Sequence, residues 1–477
     1  MTGLAAALAA CGGDNTTCGT GTTKMGNECV STGGGGGGSG TDISCGTGTH
    51  QMGNICVPDD NTVAAAPTIT MMDPAAAGIS GGGLFTITGT GFNGSNVTDL
   101  HVFFGDPTNM NCEATLGAAS ATQVSGEIPV GCSLSASVTV TLQTNLGSAT
   151  TPFNYIMIFA GDGVGGGILA DQTNQSYLLG GSLYVIDPFA GRSFSLVTPT
   201  DANSDAYSYG GMDFDANGTL FAATTGFATS DADATSQLIT IDLTTGDVTV
   251  IGDITDDAGT AYFVNDIKFV NGALYGWANY DTDGQGTYGN SLISIDATTG
   301  AATVIGGALT TTAYFGGLAT DGTSLFVAPS GGLADTTFGV TGEYDAVNLT
   351  DGTLTNALTN NETALDWYNP APIQAMTTLQ GSTPTILAVV DNGTYGAVAS
   401  DGTLWANETL VLIDPAADTS QAYMTNELFE LPGATGFAPH IDALAIPPST
   451  LVLQRTLPRT GWTDLKKSAN ARPLAHR

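Results

Sequence analysis

Positive charge is what this chain has least of. Nine of its 477 residues are Lys or Arg against 44 Asp or Glu, a formal charge of −35, and six of the nine lie between Gln454 and Arg477. The rest of the chain carries three basic and 43 acidic residues. Such a body repels nucleic acid and anionic membrane surfaces, which excludes both as partners. Also missing is any sustained helical period, and no stretch approaches the ~20 apolar residues that a membrane-spanning helix needs. Histidine is scarce too, with four residues at 50, 101, 440 and 476. No paired-Glu constellation occurs, so a hydrolytic site has little to be built from.

What is abundant is turn-forming. The chain has 66 glycines, and 36 of its 44 acids are Asp rather than Glu. Short strands joined by tight turns fit this composition, and an all-β chain of two or three domains is expected. The acidic body could attract cations, Ca²⁺ among them, but solvated Asp turns account for the excess without any metal.

Seven cysteines fall as one plus three pairs: Cys11, then Cys18 and Cys29, Cys45 and Cys56, Cys112 and Cys132. An odd count in an exported protein leaves one thiol to explain. Here Leu8-Ala9-Ala10-Cys11 follows an apolar run of small residues and resembles the lipobox of a bacterial lipoprotein signal. That resemblance implies residues 1–10 as part of a signal peptide, with the start placed late because no basic n-region precedes it. It also implies lipid on Cys11, a membrane attachment through that lipid alone, and a place in the cell envelope. Gly12 after the cysteine favours the outer membrane, facing outward or into the periplasm.

Residues 18–30 and 45–57 agree at ten of thirteen positions and flank a glycine run, Gly33 to Gly38. Units this small cannot bury a core, so each cysteine pair is expected to close a local loop, Cys18–Cys29 and Cys45–Cys56. The ten-residue spacing does not suit a zinc knuckle, and His50 is replaced by Thr23 in the sister repeat. Residues 11–63 read as a tether.

Residues 67–92, with Pro67-Thr68-Ile69, Pro74, the Gly81–Gly83 turn and Phe85-Thr86-Ile87-Thr88 leading to Gly89-Thr90-Gly91-Phe92, open a new segment. Val102-Phe103-Phe104-Gly105, Ile128-Pro129, Val138-Thr139-Val140, Gly147 and Phe153-Asn154-Tyr155 follow. This set resembles an IPT/TIG domain, which implies an immunoglobulin-like sandwich over 64–157 acting as a spacer or binding module. Period-two alternation at Phe85/Ile87 and Val138/Val140 agrees with it. Cys112 and Cys132 are expected to pin neighbouring strands.

Beyond it the chain repeats. LITIDLTTGDVTVIG (238–252) and LISIDATTGAATVIG (292–306) share eleven of fifteen residues, each a hairpin on an Asp-x-Thr-Thr-Gly turn. Weaker copies centre on Asp187, Asn348 and Asp414. Upstream of three hairpins lies another strand pair, as in Gly210-Gly211-Met212-Asp213-Phe214, Asn265-Asp266-Ile267-Lys268-Phe269 and Gly316-Gly317-Leu318-Ala319. Two strands followed by two strands at this period indicate the four-stranded blades of a β-propeller over 158–453. Five blades are expected, with six as the alternative because the interval from 348 to 414 is long. Residues 440–446 would supply the inner strand that the first blade lacks and so lock the ring.

Candidate chemistry is thin. Asp213-x-Asp215-x-Asn217-Gly218 matches the first half of a Ca²⁺ loop but places Thr224 where the bidentate Glu belongs, so an Asn-Gly turn competes with the metal reading. Asp281 and Asp283, in a longer loop, are the better Ca²⁺ candidates, with Asp231, Asp233, Asp256 and Asp257 in comparable loops. His440, at the start of an inner strand, is the one His able to face the channel as a ligand-binding or catalytic group. Trp277, Tyr280, Tyr288, Trp367, Tyr368 and Trp405 offer either a carbohydrate platform or packing. Leu457-Pro458-Arg459-Thr460-Gly461 matches a wall-sorting pattern but lacks the apolar stretch that must follow, and residues 454–477 read as a disordered basic tail. The leading expectation is a non-catalytic, lipid-anchored surface protein whose propeller binds a glycan or protein ligand. The alternatives are an extracytoplasmic propeller enzyme acting on a glycan or peptide, and a Ca²⁺-bridged component of a surface matrix.

Overall fold

The computed structural model describes residues 22–25, 28–31, 45–46, 48–52, 55–59, 63–162, 181–200, 207–224, 235–281, 288–309, 315–330, 345–356, 373–379, 385–391, 408–414, 419–425, 441–449, 451–453, 457 and 463–464. Every extended element among them is a strand, apart from one 3₁₀ turn at Met110–Cys112. The chain divides into two compact units. One comprises Met1–Ala75, Gly82–Cys132 and Val138–Phe153; the other comprises Ala76–Gly81, Ser133–Ser137 and Asn154–Arg477.

In the first unit both Cys-flanked repeats fold as two-stranded hairpins, Thr22–Met25 with Glu28–Ser31 and Thr49–Met52 with Ile55–Pro58. Cys45 and Cys56 are bridged, with their Cα atoms 5.5 Å apart. Cys18 lies outside the described residues, while Cys29 sits in its hairpin opposite Lys24. His50 lies in a strand rather than a loop, opposite Val57, and its ring Nδ1 is 3.1 Å from Asp59 Oδ1.

The sandwich follows. One sheet runs in the order Thr68–Asp73, Leu84–Thr90, Gln123–Glu127, Thr115–Ala119. The facing strands are Gly147–Ile156, Ser137–Thr144 and Leu100–Phe104. Alternation puts Phe85, Ile87 and Val140 inside, and Phe104 packs edge-on against both Phe85 (5.3 Å) and Phe153 (5.0 Å). Cys112 and Cys132 form the expected bridge, both buried, Cα atoms 5.0 Å apart. Within the span 64–157, Ala76–Gly81 and Ser133–Ser137 cluster with the second unit. There Ala76–Gly78 pairs in parallel with Asn154–Ile156, Leu134–Ser135 pairs with Val452–Leu453, and the Ser80 N–H donates to Asp187 at 2.9 Å.

The second unit is a five-bladed propeller. Blade one is Ile441–Ala445, Ile158–Asp162, Leu183–Asp187 and Arg192–Val197; blade two is Tyr209–Phe214, Leu220–Thr224, Gln237–Ile241 and Val248–Asp253. Blade three is Phe263–Val270, Ala273–Asp281, Tyr288–Ile295 and Ala302–Leu309; blade four is Phe315–Thr320, Leu325–Ser330, Asp345–Val347 and Leu354–Asn356. Blade five is Ile373–Leu379, Thr385–Asp391, Glu408–Asp414 and Thr419–Thr425. The inner strands pack in the cycle one, two, three, four, five and back to one. The last inner strand therefore completes the first blade, and five blades, not six, close the ring.

Why these residues make blades is visible in their faces. Both faces of the inner strands are covered, so Tyr209–Phe214 is buried throughout. Between blades two and three, Phe221 and Leu238 meet Ile267, Leu274 and Ile293. Between blades three and four, Trp277 and Leu292 meet Leu318 and Val327, and Ala375, Leu387 and Val389 of blade five meet Ile158, Tyr184 and Leu444 of blade one. The Gly-Gly pairs that recur in the sequence sit where inner strands approach closely. A Cβ on Gly211 would lie 2.3 Å from the Asp266 Cα, and one on Gly317 would lie 2.9 Å from the Ala375 carbonyl carbon.

The basic tail differs from expectation at two points. Thr463–Asp464 adds an outermost strand to blade one against Arg192 and Ser193, and Leu457 is buried. The basic residues of that stretch lie outside the described residues.

Candidate functional site

The propeller's two faces are unlike. On one face the turns are tight: Phe214 to Leu220, Val270 to Ala273, Thr320 to Leu325, and the hairpin turns that begin near Asp187, Asp242, Asp296 and Asn348. The hairpin turns are self-contained. Asp242 Oδ1 accepts from the Thr244 and Thr245 N–H groups, Asp296 Oδ1 from Thr298, Asn348 Oδ1 from Thr350, and Asp187 Oδ1 from Phe189 and Ala190. On the opposite face, where the inner strands begin, lie the strand ends joined by every connection longer than that from Ile241 to Val248. The longest joins Asp162 to Leu183, and others join Thr224 to Gln237, Ser330 to Asp345, Asn356 to Ile373, Asp391 to Glu408 and Thr425 to Ile441. Loops on a rigid frame are where binding residues concentrate, so the second face carries the candidate site.

Below that face the axis is crossed by a buried ion pair. Lys268 and Asp266 are 1% and 0% exposed, with Nζ 2.7 Å from Asp266 Oδ1. The ammonium also donates to the carbonyls of Met212 (3.1 Å) in blade two, Ile267 (3.0 Å) in its own strand and Leu444 (3.2 Å) in blade one. Asp266 Oδ2 accepts from the Leu318 N–H of blade four at 2.7 Å. One residue pair thus ties together the inner strands of blades one to four. Asp213 repeats the device on a smaller scale, Oδ2 accepting from the Phe269 N–H at 2.7 Å. Inner strands have one unpaired edge, and these carboxylates satisfy N–H groups on it. Burial pushes the Asp266 carboxyl up to about 7 and Asp213 up to about 6, in both cases against the pull of Lys268.

Above the pair, four of the five inner strands carry an extra residue at the same level. The register shifts at Asp442 in blade one, Gly210 in blade two, Asn265 in blade three and Gln374 in blade five, while blade four runs straight through Gly316. Bulges at such rims re-aim side chains. Asn265 is 6% exposed, and neither its amide oxygen nor its amide nitrogen has a hydrogen-bond partner. One strand out, Tyr280 is half-buried, edge-on to Tyr262 with 5.2 Å between ring centres, and its hydroxyl meets Ser291 Oγ at 3.4 Å.

The residues singled out from sequence fare unevenly. Asp213, Asp215 and Asn217 do not assemble as a Ca²⁺ loop. Asp213 is spent on Phe269, and Asp215 Oδ1 accepts from the Asn217 and Thr219 N–H groups at 3.0 and 2.7 Å, closing the Asn-Gly turn on the tight-turn face. Among the described residues no cluster of three or more His, Cys, Asp or Glu is placed to hold a metal. Asp281 ends a strand on the long-connection face, whereas its proposed co-ligand Asp283 lies outside the described residues, as do Asp231, Asp233, Cys11 and His440. Asp256 caps a turn by accepting from the Ala258 and Thr260 N–H groups. Trp277 is packing, buried between blades three and four. Asp266, Lys268, Asn265 and Gln374 were not foreseen. One signal was available: Lys268 is one of only three basic residues before Gln454.

Residues 67–155 match the family model of the IPT/TIG domain. The sandwich is an IPT/TIG domain. No curated protein matches the chain. Solved structures similar to it include the β-propeller domain of the Trilobed protease from Pyrococcus furiosus, at 8% identity and TM-score 0.26, covering 76% of this chain and 84% of that one. An α-L-arabinanase from Penicillium chrysogenum complexed with arabinobiose is similar at 10% identity and TM-score 0.28, covering 77% and 83%. A GH43 endo-arabinanase from Bacillus licheniformis matches at 11% identity and TM-score 0.28, covering 45% and 73%. At these scores the blades rest on their own strand pairing, and the IPT/TIG assignment is independent of them.

Proposed function

We propose that this chain is a lipid-anchored, extracytoplasmic binding protein. The tether and IPT/TIG domain act as spacer, and the propeller engages a ligand on the face bearing its long connections. The observation that carries this reading is the asymmetry of the ring: self-satisfied turns on one face, and on the other the strand ends joined by the longest connections, where four of the inner strands bulge. The two bridged cysteine pairs fit an oxidising compartment, and the LAAC sequence at 8–11 fits lipid attachment at Cys11.

Two experiments test it. Intact mass of the membrane-expressed protein, before and after reduction, should show acyl chains on Cys11 and six cysteines protected until reduced. An unlipidated chain with seven free thiols would remove the surface reading. For the face, the labelled full-length protein is applied to arrays of glycans and extracellular peptides. Binding that is lost when a short insertion interrupts Thr224–Gln237, yet survives the same insertion in the Asp242–Gly246 turn, supports the assignment. The reverse pattern overturns it.

A further inference from the structure

Asn265 stands out among the buried polar groups near the axis. A buried amide without partners costs about 1–3 kcal/mol, and native proteins retain few of them. Here one sits on a bulge of an inner strand, on the face bearing the strand ends that the long connections join. Packing does not require it, because the bulge residue at the same level of blade two is Gly210.

We propose that the bulge rim is a binding site for a neutral carbohydrate, with Asn265 as its recognition residue; this rests on the binding role assigned above to the same face. The chemistry follows from what the rim offers. An amide presents an acceptor and a donor side by side, the complement of two adjacent hydroxyls, each of which both donates and accepts. Asp442, half-buried at the equivalent position of blade one, is a second polar residue at this level. Gly210 and Gly316 have no side chain to obstruct a ring-sized ligand on two of the remaining sides, and Gln374 occupies the fifth register position. Anions are disfavoured. The chain is strongly acidic as a whole, and Lys268, beneath the rim, already has four protein oxygens within hydrogen-bond distance.

The test uses the full-length protein with panels of neutral and anionic oligosaccharides, followed by calorimetric titration of the strongest neutral glycan. Wild type should prefer neutral glycans, and Asn265→Ala should weaken binding by about tenfold or more, the value of one or two lost hydrogen bonds. Its thermal midpoint should stay level or rise, because an unsatisfied polar group has been removed. Should Asn265→Ala fold poorly, the side-chain amide resonances of Asn265 in wild type provide the second reading, and they should shift on saturation with the sugar. Equal affinity of wild type and Asn265→Ala, or resonances that do not move, would overturn this site while leaving the face assignment standing. Preference for anionic glycans or peptides would overturn the carbohydrate chemistry alone. A failure of the face assignment shows separately, in the insertion experiment.

Discussion

At the scale of single residues, the protein's strongest commitment is the Asp266–Lys268 pair. Taking two charges out of water is costly, and such a pair holds only when each partner's remaining hydrogen-bonding capacity is met. Here the ammonium reaches three carbonyls and a carboxylate, and the carboxylate reaches two further N–H groups. Lys268→Met leaves Asp266 buried and unpaired and should destabilise the fold by about 3–5 kcal/mol, read from urea unfolding. The double variant Lys268→Met/Asp266→Leu removes both charges and should recover a large part of that loss. If the double variant is no better than the single one, the pair matters for more than its charge. Asp213 gives a pH signature. Its folded pKa of about 6 lies above the ordinary carboxylate value, so the native state binds the proton more tightly than the unfolded chain. That contribution is fully present below pH ~4 and is lost as pH rises towards and through about 6. Asp266 acts in the same direction up to about 7. Asp213→Asn keeps an oxygen for the Phe269 N–H and removes one titration, so its urea midpoint should fall less than that of wild type between pH 4 and 7. An unchanged slope would contradict the burial of Asp213. Little of this was legible beforehand. The rarity of Lys268 was plain in the composition, but its acceptors include Leu444, 176 positions away, and only the closed ring brings them together.

At the scale of elements, the hairpins were the most legible part. An Asp-x-Thr-Thr-Gly turn carries its own instructions: the Asp side chain takes up the N–H groups two and three residues on, and the glycine, at φ +84° in Gly246 and +81° in Gly300, accepts a conformation other residues resist. The same local logic explains why the Asp-rich composition does not mark a metal store. The bulges were illegible for the opposite reason. A bulge is defined by two residues facing one across a ladder, and Asn265 or Gln374 looks like any strand residue until its partner strand is known. The Gly-Gly pairs stand between these cases, visible as a repeat but explained only by the neighbouring blade. Gly211→Ala places a methyl group against the backbone of Asp266, which cannot yield without moving the ion pair. It should cost about 1–3 kcal/mol, the usual penalty of overpacking, whereas Gly259→Ala, with open space but a left-handed backbone, should cost less. Differential scanning calorimetry on the two variants distinguishes close approach from backbone conformation as the dominant constraint.

At the scale of the whole molecule, the question is what keeps a ring of separate sheets from opening. Each blade buries its faces only against its neighbours, so a ring with one seam unsealed exposes two apolar faces and a strand edge at once. The chain meets this by contributing both ends of the propeller to one sheet. Ile441–Ala445 pairs with Ile158–Asp162, and the following Val452–Leu453 pairs with Leu134–Ser135. The same inner strand provides the Leu444 carbonyl to Lys268, so closing the seam and satisfying the axial ion pair are one event. A chain ending at residue 440 should therefore lose more than one strand's worth of stability. Blade one would lack its inner strand, Ile158, Tyr184 and Ala375 would lose Ile441 and Leu444 as neighbours, and Lys268 would lose an acceptor. The expected outcome is a broad, non-cooperative thermal transition with concentration-dependent aggregation, measured by calorimetry and light scattering. Ending the chain at Leu465 keeps both closing strands and the Thr463–Asp464 pairing, and should leave a single sharp transition close to that of the full chain. A cooperative, monomeric product from the shorter chain would mean that the blades hold together through their pairwise interfaces alone, and that the shared first blade is a consequence of the ring rather than its lock.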